Sequence, residues 1–224
     1  MIWLARTVDV MKIIRVENRQ DSQKEQGMNQ RITSPVQLRE SRLAHFLFAD
    51  PRASVLWLVV RLWVGYQWIN AGYHKVTDPN GVWVGAKAGA GLTGFVNGAL
   101  KLASGEHPAV QGWYADFLKS VVLPNVTVFS YMVAFGECLV GIGLIVGGLT
   151  GVAAFFGVMM NTNFLLAGTV STNPMLAIPA VLLILAWRNA GWYGLDRWLL
   201  PIAGTPWQPG SVFEHDEKVA QSKL

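Results

Sequence analysis

The chain has 224 residues, of which 52% are hydrophobic and only 14% are charged, with a formal net charge of +4. Ordinary soluble domains carry about a quarter charged residues, so this composition argues against a soluble domain and predicts a membrane protein. The single cysteine, Cys138, excludes an internal disulfide, a CxxC redox pair, a Cys-ligated zinc site and a cluster held by four cysteines of this chain.

The N-terminal segment is predicted to lie outside the membrane domain. Its opening run MIWLARTVDVMKII lacks the long apolar core and cleavage site of a signal peptide, and the polar residues that follow favour disorder. Residues 1–34 are therefore predicted to be a disordered cytoplasmic tail, and residues 201–224 a flexible cytoplasmic tail. Residues 35–53 are predicted to be an amphipathic segment on the membrane surface, with a plain solvated helix as the alternative.

Four apolar runs satisfy the length needed to cross a hydrocarbon core of about 30 Å. They lie near residues 54–72, 125–147, 150–170 and 174–190. The fourth contains Pro179, which neighbouring helices can accommodate, and a shallow re-entrant helix is the alternative. The expected fold is all-α, a polytopic four-transmembrane-helix bundle over residues 54–200.

The positions of Lys and Arg predict the orientation of these spans. Nine of them precede residue 54, and Arg188 and Arg197 follow the last span. A multi-pass protein of the cell membrane with both termini cytoplasmic is expected, and residues 73–124 then form an extracytoplasmic loop.

This outer loop is too long for a simple turn, and helical spacing predicts two short helices within it. The apolar residues at that spacing are Leu92, Phe95, Val96, Ala99 and Leu100, followed by Trp113, Phe117, Leu118 and Val121. The loop also contains Gly89, Gly91 and Gly94, which match the GxGxxG dinucleotide fingerprint. Because no apolar strand precedes them, the glycines are interpreted as a flexible lead into a helix and not as a nucleotide site.

Two charges, Arg61 and Glu137, and the polar Asn161 fall inside predicted spans, where polar residues are costly and often functional. If residues 54 and 147 both mark the cytoplasmic edge, Arg61 and Glu137 lie at similar depths and Asn161 is level with Glu137. Each charge shares its helix face with small residues, so the first two spans are predicted to pack closely and to pair Arg61 with Glu137. A purely structural lock between helices is the alternative to a substrate or proton site.

The chain resembles the DoxX family of four-helix membrane proteins. The resemblance rests on Arg61, Gly65, Gly72 and Lys75 in the first span, and on Glu137, Gly141 and the Gly147–Thr150 turn in the second. The loop residues Trp83, Trp113 and Tyr114 and the closing GLDRWL at residues 194–199 resemble its DoxD branch. That branch supplies the membrane subunit of thiosulfate:quinone oxidoreductase.

The resemblance implies an oxidoreductase that joins two thiosulfates into tetrathionate and passes electrons to quinone. Arg61 and Glu137 would then be catalytic, Lys75 and Asn161 would bind substrate, and Trp68, Tyr73 and His74 would bind the quinone ring. Interfacial anchoring is the alternative for these aromatic residues. Cys138 is interpreted as a buried inert thiol, with a persulfide adduct as the alternative.

Quinone is the expected electron acceptor, and no haem, flavin, iron-sulfur or metal site is evident in the sequence. Any electron carrier would be bound unexpectedly, belong to a partner or be unnecessary because substrate and quinone react directly. The expected partners are the lipid bilayer and a small DoxA-like subunit or a sulfurtransferase, with a homo-oligomer as a further option and no nucleic acid. The alternative function is a non-catalytic DoxX-type membrane protein that scaffolds a redox complex or carries a small solute.

Overall fold

A computed structural model describes residues 41–204 of the protein, and every regular element within that range is helical. The predicted all-α class is therefore confirmed for this part of the chain. The predicted disordered tail 1–34, the start of the amphipathic segment and the tail beyond residue 204 lie outside the described residues.

Residues 41–204 contain eight α-helices: α1 (Arg42–Ala49), α2 (Ser54–Val76), α3 (Ala90–Lys101), α4 (Gly112–Phe117), α5 (Val126–Val146), α6 (Thr150–Leu166), α7 (Asn173–Leu185) and α8 (Asp196–Ile202). A 3₁₀ turn, Pro51–Ala53, precedes α2. Helix α4 continues through a π-helical turn, Leu118–Val122, and a 3₁₀ turn, Leu123–Asn125, into α5. These wider and tighter turns adjoin Pro124, which has no backbone N–H to continue the α-helical pattern.

The four longest helices pack side by side in a ring, α2 on α5, α5 on α6, α6 on α7 and α7 on α2. Their core is apolar and consists of small and aromatic side chains: Ala53, Trp57, Val64, Trp68, Val140, Leu144, Ala154, Leu183, Ala186 and Ala190. Consecutive helices run antiparallel, because the connections between them are short or fold back over one end of the bundle.

Glycines allow α2 and α5 to approach closely. A Cβ placed on Gly72 would lie 2.6 Å from the backbone nitrogen of Cys138, and one on Gly141 would lie 2.5 Å from the backbone nitrogen of Ile69. Any side chain at these positions would collide with the facing backbone. The predicted close packing of the first two long helices along their small residues is confirmed.

Residues between α2 and α5 cover one end of the bundle. Helix α3 packs its buried Leu92, Val96 and Ala99 against α4 and the turn that follows it. The first of the two predicted loop helices is confirmed, whereas the second is the beginning of one long helical stretch that leads into α5. Gly89 has φ +99 and stands directly before α3, so it leads into the helix as predicted, whereas Gly91 and Gly94 lie inside α3.

Helix lengths differ from the predicted spans. The helical stretch Gly112–Val146, at 35 residues, is long and apolar enough to cross a membrane. The helices Arg42–Ala49 and Pro51–Val76 meet the same criteria of length and composition only when they are taken together, as a pair bent by 62°. The apolar helices Thr150–Leu166 and Asn173–Leu185 are shorter than that test requires. The predicted spans 150–170 and 174–190 therefore end earlier as helices than expected.

The bend after α1 is held by side-chain hydrogen bonds. Ser41 Oγ accepts from Ala44 N at 3.1 Å and begins α1, and Asp50 Oδ1 accepts from Arg52 N at 2.8 Å after α1 ends. Asn189 Nδ2 donates to the carbonyl oxygens of Leu47 and Asp50. The segment before α2 is thus tied to the chain that follows α7, at the end of the bundle opposite α3.

Candidate functional site

The buried carboxylate of Glu137 on α5 forms an ion pair with Lys75, in the last turn of α2. Lys75 Nζ lies 2.6 Å from Glu137 Oε2, and the two side chains are 20% and 2% exposed. Such a charge-assisted hydrogen bond is stronger than one between neutral groups. A paired acid and base therefore sit at one end of the interface between the two helices, with the lysine reaching solvent.

The predicted pairing of Glu137 with Arg61 is wrong. Within residues 41–204 the ion-pair partner of Glu137 is Lys75, and the Arg61 guanidinium lies instead against the backbone of Gly147, where α5 ends. The prediction placed residue 54 level with residue 147, but Arg61 takes that place, seven residues or about 10 Å further along α2. This shift in alignment moves Arg61 away from Glu137 and brings Lys75 to it.

Trp83 lies against the lysine of this ion pair. Its ring centroid lies 5.2 Å from Lys75 Nζ, within the range of a cation–π interaction. The Trp83 carbonyl accepts a hydrogen bond of 2.7 Å from Ser130 Oγ on α5, and Tyr131 OH accepts one of 3.2 Å from Gly85 N. The loop after α2 is therefore fastened to the same helix that carries Glu137.

The turn that leads to Trp83 begins at Asp78. Its carboxylate accepts hydrogen bonds from Asn80 N at 3.1 Å and Val82 N at 3.2 Å. These backbone donors stabilise the ionised form and lower the pKa of Asp78 below its usual value. Asp78 thus holds the loop in the conformation that places Trp83 over Lys75.

Next to the ion pair, the bundle interior contains Asn161 on α6 and Trp68 on α2. Asn161 is fully buried and Trp68 is 2% exposed. A Cβ placed on Gly136 would lie 3.5 Å from Met160 Sδ, so the next residues, Glu137 and Asn161, are at about the same level, as expected from the sequence. Among the described residues, neither amide atom of Asn161 nor the Trp68 indole nitrogen has a hydrogen-bond partner.

The three aromatic residues predicted to bind quinone do not come together. Trp68 points into the bundle, while Tyr73 is 60% exposed and His74 is also exposed. The Tyr73 and His74 rings lie 6.0 Å apart on the outer surface of α2. Only Trp68 therefore shares the buried interior with Glu137 and Asn161.

Arg61 belongs to a different cluster, at the opposite end of α2. Its Nη2 donates to the Tyr193 carbonyl at 3.0 Å, and its guanidinium lies against Gly147 and Gly194. A cation is favourable there because the carbonyl end of α5 carries partial negative charge. Arg61 is 1% exposed and is not part of the Lys75–Glu137 ion pair, so its predicted catalytic role stays a prediction.

Asp196 completes this second cluster and was not identified from the sequence. Its carboxylate accepts from Leu149 N at 2.5 Å and Thr150 N at 2.8 Å, and so caps the beginning of α6. Asp196 N also donates to the Gly147 carbonyl at 2.8 Å, and its charge attracts Arg61. The only hint in the sequence was an acidic residue inside the closing GLDRWL segment.

In residues 41–204, no three His, Cys, Asp or Glu side chains come together in a way that could hold a metal ion.

The DoxX family model matches residues 56–170, just over half of the chain. The match spans α2 to α6 and includes Lys75, Trp83, Glu137 and Asn161. No curated protein and no solved structure matches the chain.

Proposed function

The chain belongs to the DoxX family, a membrane-associated family, and from that premise we propose that it is an integral membrane oxidoreductase subunit. In this proposal it oxidises thiosulfate to tetrathionate at the Lys75–Glu137 pair and passes the electrons to quinone. The single observation that carries the proposal is the buried carboxylate of Glu137, held 2.6 Å from a lysine that remains 20% exposed.

Exposed apolar side chains support an arrangement in which α2, α5, α6 and α7 all cross the membrane. Large hydrophobic residues are exposed on all four helices, among them Val59, Leu62, Tyr66, Val128, Met132, Leu139, Val152, Phe155, Met175, Ile178 and Leu185. A soluble protein rarely exposes so much contiguous apolar surface, whereas lipid would cover it. At 17 and 13 residues, α6 and α7 extend about 26 Å and 20 Å, so non-helical residues next to them complete these two spans.

The proposed orientation of the protein in the membrane is based on the basic residues at one end of the bundle. Arg188 and Arg197 lie in the chain after α7, at the end that carries Arg61 and Asp196. In the proposed topology this end and both termini face the cytoplasm, and Lys75 with its Trp83 cover faces outward. Thiosulfate then reaches Lys75 from outside the cell membrane.

The chemistry needs a cation for the substrate and a proton for the acceptor. Two thiosulfate dianions lose one electron each and form the sulfur–sulfur bond of tetrathionate, while quinone takes up both electrons and two protons to become quinol. Lys75 supplies the cation that binds a thiosulfate oxygen or sulfur. Once thiosulfate engages the lysine, a charged Glu137 would be buried without a partner, so it takes up a proton from the solvent and passes it on towards the quinone, and the second proton follows by the same route.

Quinone approaches from the bilayer in this scheme. The exposed rings of Tyr73 and His74 lie directly before Lys75 in sequence, on the outer surface of α2, and provide an aromatic surface for that approach. The resemblance to the DoxD branch adds a DoxA-like subunit or a sulfurtransferase as partner, or assembly with further copies of the chain. Arg61 and Asp196 hold the opposite end of the bundle together and take no part in the reaction.

The test is thiosulfate-dependent reduction of decylubiquinone by the full chain purified in detergent. The chain is measured alone and together with the proposed partner, a DoxA-like subunit or a sulfurtransferase. We expect turnover that is lost in Glu137→Gln and weakened in Lys75→Gln, with Lys119→Gln, an exposed lysine outside the site, as the control. Saturable thiosulfate binding without quinone reduction under any condition would instead support the non-catalytic solute carrier.

A further inference from the structure

Two buried side chains in the centre of the bundle carry polar atoms that have no partner. These atoms are Nδ2 and Oδ1 of Asn161 and Nε1 of Trp68, and within the described part of the chain none of them makes a hydrogen bond. Asn161 is 0% and Trp68 2% exposed. Nearly all buried polar groups in folded proteins are paired with protein or with ordered water, so three orphaned atoms need an occupant.

The two side chains enter the interior between α2, α5 and α6 at neighbouring levels. Trp68 Nε1 lies 3.2 Å from the position that a Cβ on Gly157 would take, so the missing side chain of Gly157 leaves room for the indole edge. Asn161 follows Gly157 by one helical turn on the same buried face of α6. Side chains on a helix lean towards its N-terminus, so the Asn161 amide leans towards Gly157 and the indole nitrogen.

This part of the interior is also next to the Lys75–Glu137 pair. Val140 on α5 lies 3.3 Å from the same Gly157 position, and Glu137 precedes Val140 by about one turn on the buried face of α5. The Trp68 indole nitrogen therefore lies about one helical turn deeper in the bundle than Glu137, whereas Asn161 is level with Glu137 and leans towards that nitrogen. A group bound there would be the next hydrogen-bonding group below Glu137 in the bundle.

The atoms themselves define the chemistry of the occupant. Two N–H groups, from Trp68 and Asn161, need an acceptor, and Asn161 Oδ1 needs a donor. A neutral oxygen satisfies all three, as a water molecule does, or as a quinone carbonyl oxygen that becomes a hydroxyl on reduction. An anion is disfavoured because the Glu137 carboxylate lies nearby, and a cation is disfavoured because two of the three groups are donors.

We propose that Trp68 and Asn161 bind one neutral oxygen, of water or of the quinone ring, within one turn of Glu137. A water oxygen would connect Glu137 with the electron acceptor, whereas a quinone oxygen would belong to the acceptor itself. Either oxygen gives the proton a path into the bundle. The quinone form rests on the proposed function, whereas the water form requires only the structure. Trp68 and Asn161 are thereby one subsite, separate from the exposed rings of Tyr73 and His74.

Thermal unfolding of the full chain in detergent tests this without any turnover assay. Asn161→Leu has nearly the same size but no polar atoms, and Trp68→Phe removes the indole N–H. Thr162→Val is the matched control, because Thr162 is exposed on the same helix and its Oγ1 bonds only within that helix. Each protein is measured with and without decylubiquinone, but never with thiosulfate.

If water is the occupant, Asn161→Leu and Trp68→Phe each lower Tm without quinone. Their double variant then loses less than the sum, since both groups bind one oxygen. If the quinone oxygen is the occupant, decylubiquinone raises the Tm of wild type and Thr162→Val but not of the two site variants.

Three results together overturn the proposal. Asn161→Leu is as stable as wild type or more stable, the Tm losses of the double variant are additive, and the quinone-induced rise in Tm is unchanged. These results would mean that the three atoms are unpaired in solution. Failure of thiosulfate turnover with these Tm effects intact would instead count against the proposed function alone.

Discussion

Lys75 Nζ lies 2.6 Å from Glu137 Oε2, joining the last turn of one long helix to the buried face of the next. The lysine lies at the end of α2 next to the loop that carries Trp83, and the carboxylate lies in the middle of α5. Because the lysine is 20% exposed and the carboxylate only 2%, the anionic substrate proposed above would meet the cation first and the carboxylate only through it. This order distinguishes the two halves of the pair in experiments.

Removing Lys75 should destabilise the protein more than removing the whole pair. Lys75→Met leaves Glu137 buried without a partner, which costs up to about 3–5 kcal/mol while the carboxylate stays charged and less once it takes up a proton, whereas the double variant Lys75→Met with Glu137→Gln should recover most of that loss. Denaturant unfolding in a single detergent measures both. Equal stability of the single and double variants would contradict the pairing.

Lys75→Gln should raise the KM for thiosulfate and change kcat less, because the lysine side chain is 20% exposed and attracts the incoming dianion. The increase in KM should be larger at low ionic strength, since salt screens exposed charges. Lys119→Gln controls for general surface charge. A KM that is unchanged across a salt series would remove Lys75 from substrate binding.

Arg61 and Asp196 should affect stability without affecting substrate affinity. Arg61→Ala removes the cation at the end of α5, and Asp196→Ala removes the cap of α6, a loss of about 1–2 kcal/mol for a helix cap. The remaining folded fraction should keep the wild-type KM for thiosulfate. A changed KM in Arg61→Ala at full stability would return Arg61 to the reaction, the role expected for it from the sequence.

Gly72→Ala should weaken the α2–α5 interface, because the new Cβ would lie 2.6 Å from both the backbone nitrogen and the Sγ of Cys138. Backbone at that distance cannot move aside cheaply, so the two helices must separate and Lys75 must shift from Glu137. The control is Gly98→Ala in α3, where nothing lies within 4 Å of the new Cβ. Replacing glycine in an open helical position is expected to stabilise the helix by up to about 1 kcal/mol. Similar Tm values for both variants would contradict the close approach.

Acid should loosen the loop that carries Trp83 before it unfolds the bundle. The pKa of Asp78 is lowered in the folded protein, so its contribution to stability is complete above its ordinary pKa of 3.8 and is lost as the pH falls through the lower folded value. Protease cleavage within residues 77–88 should therefore increase below about pH 4. In Asp78→Asn the same cleavage should already be raised at neutral pH, and a pH-independent cleavage rate in wild type would exclude this role.

Topology can be measured by cysteine labelling in whole cells, in a Cys138→Ser background. An impermeant maleimide should label Ser104→Cys, in the connection between α3 and α4, from outside the cell. Arg188→Cys, after α7, should react only once the membrane is permeabilised. The opposite pattern would place Lys75 on the cytoplasmic side, and labelling of both positions from outside would contradict an even number of spans.

The sequence by itself determined the helices and the faces they pack. Apolar composition and helical spacing identified the four long helices and the short helix α3, because burial of apolar side chains acts through a periodicity that the sequence displays directly. Small residues at Gly65, Gly72 and Gly141 identified the faces of α2 and α5 that meet, since only glycine permits that separation. The spacing of fourteen residues also puts Lys75 on the same face of α2 as Arg61.

Only the tertiary structure decided which charges meet on those faces. The alignment of α2 against α5 depends on how Gly65, Gly72 and Gly141 interlock and on how Asp196 folds back on the turn before α6, and these are contacts between distant parts of the chain. A change of seven residues in that alignment keeps every residue on its face but moves it about 10 Å along the axis. For that reason Glu137 and its face were predictable, whereas its pairing with Lys75 and the separate cluster of Arg61 and Asp196 were not.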